Sequence, residues 1–366
     1  MRVILVVPLD YESVGGYYLP INHYMSALTA YGYEVNIFRL PYHLIGKSKK
    51  QKYVRIFSEM YAPDVKAVIP FGLNQCTILI DIVDIKEMNN CIAFMIDCMR
   101  LHAESVLPYK ASIKEWFRTL LRKLAYTYRE RKCMKTYSEV IMVSRVDTEY
   151  AKEYYRSRRA KINYIPNGIE IVSRTPASEK KVCSDENILV FGCLTGFSND
   201  TLQENLFPLL KEIFPFVHSR FNNTKIVIAG RGCKPDVKKV LDTIDGVEFI
   251  GEVESLREFY SKVDIIVTTV RKKCGIINRI LEAWSYGKPV IGYESNFATF
   301  EYATSGKEYL VANNKQEFAS KIKDIFSGKI DVYEMGMNGM NLVRNHYTWE
   351  KSTDKLIQII MRKESK

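Results

Sequence analysis

Glu282 and Asn278 stand four residues apart in a stretch whose apolar positions, 276, 277, 280, 281 and 284, recur at helical spacing. A helix over Ile276–Tyr286 therefore puts both polar side chains on the side turned away from its packed face. A carboxylate one turn inside a helix can accept hydrogen bonds from two vicinal hydroxyls, the pair that a ribose offers. Gly275 lies just before this helix and lets a ligand approach the backbone. The open amides of a first turn, at the positive end of a helix dipole, are a seat for a diphosphate. Arg271, Lys272 and Lys273 come next upstream and are either a solvated corner or cations that neutralise a leaving diphosphate. Asp97 and His102 follow the apolar run Ile92–Met95, where either one orients an acceptor hydroxyl, serves as a base, or is simply structural.

Other chemistries lack their residues. The eight cysteines form no C-x-x-C pair, and with five histidines no zinc-type spacing can be assembled, so reduced thiols are expected. No D-x-D stands where a metal-bound diphosphate would need it, and neither a metal nor a cofactor is implied. At 366 residues, with 47% hydrophobic and 26% charged residues, the chain has ordinary globular composition and material for two cores. No apolar run is long enough to span a bilayer, and the apolar start that ends at Asp10 is too short for a secretory signal. A cytoplasmic protein, soluble or attached to a membrane surface, is the expectation. The net charge of +11 is concentrated before residue 173 and favours phosphate-bearing partners. No nucleic-acid-binding motif accompanies it.

The elements that must position these residues repeat one grammar. Val3–Val7 reads as a buried strand, Gly15-Gly16 as a turn before a helix, and Glu34–Phe38 as the next strand, which is a βαβ unit. Ala67–Pro70, Ile92–Met95, Val140–Val143 and Lys161–Ile165 continue the strands, and Pro166-Asn167-Gly168 is a turn. After a polar stretch the pattern restarts with strands at Ile188–Gly192, Ile226–Gly230, Val247–Gly251 and Ile265–Thr268 and helices at Thr201–Val217, Leu256–Lys262 and Ile276–Tyr286. The expected architecture is α/β: two tandem Rossmann-like domains whose parallel sheets face a cleft. The expected boundaries are 1–172 for the first domain, 173–187 for a linker, 188–345 for the second domain and 346–366 for a C-terminal segment.

From Cys274 to Gly292 the sequence CGIINRILEAWSYGKPVIG resembles the donor-binding signature of GT-B glycosyltransferases, family 4 in particular. Tyr164–Gly168, Gly230-Arg231-Gly232, Phe249–Val253 and His346–Glu350 fall in the order that this family shows, as do Gly15-Gly16 and the strand-then-serine Ile141–Ser144. The resemblance implies transfer of a sugar from a nucleoside diphosphate sugar, UDP- or GDP-linked, to a glycan or lipid-linked acceptor in polysaccharide or glycoconjugate synthesis. It further implies retention of configuration without a metal, an acceptor-binding domain over 1–172, a donor-binding domain over 188–345 and, in 346–366, a C-terminal helix crossing back to the first domain. The donor would be held by Gly15, Gly16, Ser198, Asn199, Arg231, Glu252, Val253, Lys273, Cys274, Gly275, Ile276, Ile277, Asn278 and Glu282. Asp97, His102, Arg271 and Lys272 would take part in the chemistry.

Two departures stand out. Cys274 occupies the place of the family's first glutamate in E-x7-E, and the arginine and lysine usual after the first strand of the second domain are missing from Phe191–Asp200. Ser198 and Asn199 either bind phosphate there or cap the next helix, and Arg231 can supply charge. These departures keep open a partner protein that has lost catalysis, and a sugar-nucleotide epimerase is a further alternative. Separately, Lys110–Lys135 interleaves nine basic residues with Trp116, Phe117, Leu120, Leu121, Leu124 and Tyr128. That is a basic amphipathic helix, lying either on anionic lipid or on its own sheet with a solvated basic face.

Overall fold

The computed structural model describes residues 1–13, 15–43, 46–110, 112–172, 188–198 and 202–364. The stretch 173–187, expected as a linker, lies outside the described residues, as does Asn199. The chain forms two compact units. One comprises Met1–Gly168, Cys274–Ile276 and Trp349–Lys366, and the other comprises Ile169–Lys273 and Ile277–Thr348.

The first unit is built on β1 (Arg2–Pro8), β2 (Glu34–Leu40), β3 (Val65–Pro70), β4 (Ile92–Ile96), β5 (Glu139–Met142) and β6 (Lys161–Tyr164). The strands pair in parallel in the orders β2-β1-β3 and β4-β5-β6, and parallel bridges Val68–Cys91 and Phe71–Phe94 join the two sets. Val3 to Val7 are fully buried because helices cover both faces of a parallel sheet, which is why β1 is an unbroken apolar run. The closing helix Trp349–Glu364 belongs to this unit. Trp349 stacks on His23 at 4.4 Å between centroids, Ser352 Oγ donates to the Pro166 carbonyl at 2.7 Å, and Arg362 donates to Glu139 at 3.1 Å. His346 is not part of this helix: it ends the preceding one, Val332–His346, in the second unit.

The second unit contains β7 (Leu189–Leu194), β8 (Thr224–Ala229), β9 (Val247–Gly251), β10 (Ile265–Thr268), β11 (Val290–Gly292) and β12 (Tyr309–Val311). Their order is β12-β11-β10-β7-β8-β9, all parallel. Counted from β7 this is 3-2-1-4-5-6, the doubly wound order of dinucleotide-binding sheets, with its switch point between β7 and β10. The single helix expected over Thr201–Val217 is broken. Wide turns at Leu202–Leu206 and Leu209–Ile213 precede an α-helix at Phe214–His218. Pro208 and Pro215 lack the amide donors that a regular ladder needs, and the backbone widens around them.

Candidate active site

In a parallel sheet every strand delivers its following loop to one edge, so the loops after β7, β8, β9 and β10 share the C-terminal edge of the second sheet. These loops carry Ser198, Arg231, Glu252, Val253 and the run Arg271–Lys273. Gly230 is fixed there by two constraints: its φ is 157°, and a Cβ would lie 1.6 Å from the Thr195 carbonyl oxygen. The loops after β7 and β8 therefore approach backbone to backbone. Arg231, expected to face phosphate, pairs with Glu252 at 2.5 Å, so two expected donor contacts hold each other. Ser198 is exposed and its carbonyl accepts the Leu202 amide. Val253 is half-buried.

The helix that should carry the carboxylate spans Asn278–Ser285 and starts two residues later than its apolar spacing suggests. Ile277 is extended, with φ −83° and ψ 92°, and Gly275 is left-handed at φ 68°, so Ile276 and Ile277 lie in the loop ahead of the first turn. Asn278 is exposed at the start and Glu282 follows one turn in, half-buried. Among the described residues the Glu282 carboxylate has neither an ion pair nor a hydrogen bond. Burial pushes its pKa up, partly offset by Arg279. Beside the helix is a small cavity lined by Asn205, Tyr260, Thr268, Ile277, Arg279 and Ile280. The Tyr260 hydroxyl is buried without a partner among the described residues, and Glu282 adds to the burial that raises its pKa. In the sequence Tyr260 carries no distinguishing signal, being one tyrosine in a short amphipathic helix.

Cys274, Gly275 and Ile276 fold with the first unit. Cys274 is 1% exposed, in the core cluster that holds Met95, Cys98 and Met142. The Gly275 amide, expected to be open to a ligand, instead donates to Asp147 Oδ2 at 2.7 Å. A Cβ on Gly275 would come within 2.5 Å of Asp97 Oδ1, so glycine is required by space as well as by its φ. Asp97 is carried here by an unusual backbone: Ile96, β-branched, sits at φ 72° where β4 slips register against β5. A conformation of that kind costs about 1–3 kcal/mol and collects at functional sites.

Asp147 was not singled out from the sequence. Ser144 caps the helix Arg145–Tyr155 by accepting the Asp147 amide at 3.0 Å, and a Ser-x-x-Asp after a strand is the signal that was available. The Asp147 carboxylate accepts from the Cys98 amide at 2.9 Å, from the Gly275 amide and from the Ser144 hydroxyl. Burial and the neighbouring Asp97 nevertheless outweigh these donors and raise its pKa to about 7. His102 is half-buried in the helix Met99–Val106, and its amide donates to the Cys98 carbonyl. Gly15 and Gly16 open the helix Gly15–Ala30 directly and are helical, so the expected turn is absent there.

Residues 189–327 match the family model described as Glycosyl transferases group 1. Among solved structures, sucrose-phosphate synthase from Thermosynechococcus elongatus superposes with a TM-score of 0.72 at 15% identity, covering 99% of each chain. HepE of Anabaena, solved with UDP, has a TM-score of 0.68 at 13% identity over 99% of this chain and 100% of its own. WaaG, a glycosyltransferase involved in lipopolysaccharide biosynthesis, gives 0.66 at 14%, over 98% and 99%. The fold is GT-B. The resemblance seen in Cys274–Gly292 thus lies within the matched segment, and its last three residues form β11 of the second, Rossmann-like sheet.

Proposed function

We propose that this GT-B chain is a glycosyltransferase that takes a sugar from a UDP- or GDP-sugar and passes it to a glycan or lipid-linked acceptor at the cytoplasmic face of a membrane. The observation that carries the reading is the half-buried Glu282 carboxylate, unpartnered among the described residues and one turn inside the helix that follows β10. Removing a carboxylate from water without a partner is costly, and two ribose hydroxyls would supply the missing donors. The family match over 189–327 supports the donor class, and the UDP in the HepE structure favours UDP as the first nucleotide to try.

In this reading Asn278, Ile277 and the loop ahead of them line the diphosphate. Arg271, Lys272 and Lys273 offset the charge that grows on it as the sugar leaves, a role in which each group is worth roughly 3 kcal/mol. Asp97 and His102 orient the acceptor. The leaving phosphate takes the acceptor proton on the face it departs from, so configuration is retained and neither a protein nucleophile nor a metal is needed. The test is titration with UDP- and GDP-sugars: Glu282→Ala should weaken binding at least about tenfold. Equal affinity in the variant would end the ribose assignment.

Cys274 favours a second reading. It stands where the family has a glutamate, and it is packed in an apolar core. A partner protein that binds nucleotide but transfers nothing fits that residue. Diphosphate release from a panel of sugar nucleotides separates the two, since such a partner would bind and release none.

A further inference from the structure

The helix Ile113–Thr136 divides along its length. Its second half is held by the protein. Glu130 is fully buried and accepts the amides of Met99 and Arg100 and the hydroxyl of Tyr155, while Arg129 bonds Asn74 and Thr77, and Lys132 pairs with Asp81. The first four turns present something else. Ile113, Phe117, Leu121, Leu124 and Tyr128 recur at spacings of three and four, and each is more than half exposed, from 52% at Leu121 to 88% at Ile113. Trp116, 42% exposed, flanks them. A solvated basic face would put charge on this outward stripe, and here the stripe is apolar. Exposed Lys114, Arg118 and Arg122 form the adjoining column, and among the described residues none of the three has a carboxylate partner. Glu115 is the one exposed acid on the helix, because Glu130 is inside.

We propose that this stripe lies in the surface of an anionic bilayer, with Phe117, Leu121 and Leu124 among the acyl chains and Lys114, Arg118 and Arg122 at the lipid phosphates. A surface helix of about 16 residues, roughly 24 Å long, with aromatic and aliphatic side chains on one side and cations beside them, has the composition of an in-plane membrane anchor. The rim commits the occupant: an apolar protein partner has no use for a column of unpaired cations, whereas anionic headgroups neutralise it. The inference deepens the membrane location named in the proposed function and rests on this helix, while the sugar-transfer part of that reading does not depend on it.

The full chain should sediment with vesicles of phosphatidylcholine containing phosphatidylglycerol and much less with phosphatidylcholine alone. Brominated lipid should quench its fluorescence, and Trp116→Phe should remove that quenching while buried Trp284 is unaffected. Leu121→Asp with Leu124→Asp should lower vesicle affinity at least about tenfold, and Arg118→Gln about fivefold. Both leucines are exposed, so circular dichroism and thermal melting of the double variant should match the parent. Three outcomes would overturn the proposal: no sedimentation with anionic vesicles, binding that survives the double substitution, or a dimer in sedimentation velocity that the double variant abolishes while vesicles go unbound. Donor titration uses no lipid, so failure here removes the membrane location and leaves sugar transfer standing.

Discussion

Asp147 and Glu282 are both carboxylates withdrawn from water, and the structure treats them oppositely. Asp147 accepts from two backbone amides and a hydroxyl, and the groups it binds are the ends of elements: Cys98 ahead of one helix, Ser144 ahead of another, and Gly275 in a loop. Glu282 has no such partners among the described residues. The first holds the fold together; the second, in the proposed reading, takes its donors from a ribose. Burial alone does not distinguish the two, and the count of donors around each does.

The largest test of this contrast is Asp147→Ala. Losing the acceptor strands two buried amides, and the fall in unfolding free energy should be about 4 kcal/mol in denaturant melts. A loss under about 1 kcal/mol would put Asp147 on the same footing as a surface acid. The pH dependence sharpens the same point. A carboxyl whose folded pKa is raised to about 7 binds its proton more tightly than in the unfolded chain. Its contribution is therefore complete below about pH 4 and is lost as pH rises through about 7, a change of about 4 kcal/mol. In Asp147→Asn that slope should vanish from a series of melts between these limits. Gly275→Ala forces a Cβ into the Asp97 carboxylate at a left-handed φ and should cost about 2 kcal/mol, read as a lowered melting temperature. Glu282→Ala is the reverse case: stability unchanged or slightly raised, and donor affinity down at least about tenfold, close to 1.4 kcal/mol. Smallest is Arg231→Ala, since its pairing with Glu252 is an exposed one and should be worth under about 0.5 kcal/mol of stability.

Much of the fold was legible because parallel strands are short, apolar and closed by glycine or proline; β1, β2, β4 and β8 lie where their β-branched runs put them. β11 and β12 were not read as strands. Each is three residues long, and Val290–Gly292 hides at the end of a motif read for its helix. The helix before β8 was misread because hydrophobic spacing survives a proline while the hydrogen-bond ladder does not. Types and spacing were enough to single out Glu282, Asn278 and Gly275 as candidates. They could not reveal that Gly275 leans on Asp97 and donates to Asp147, because those acids are distant in sequence and the contact depends on a strained Ile96. The pairing of Arg231 with Glu252 was equally invisible: both were read as groups for a ligand, and neither announced the other.

The interleaving of segments in the first unit bears on how such a chain can be cut or recombined. A fragment ending at Gly168 would leave His23 without Trp349, Glu139 without Arg362 and an empty slot where Cys274 packs. An exchange of halves between relatives would have to carry three separated stretches at once. A crossover placed at the obvious midpoint should yield insoluble protein even when each parent is robust.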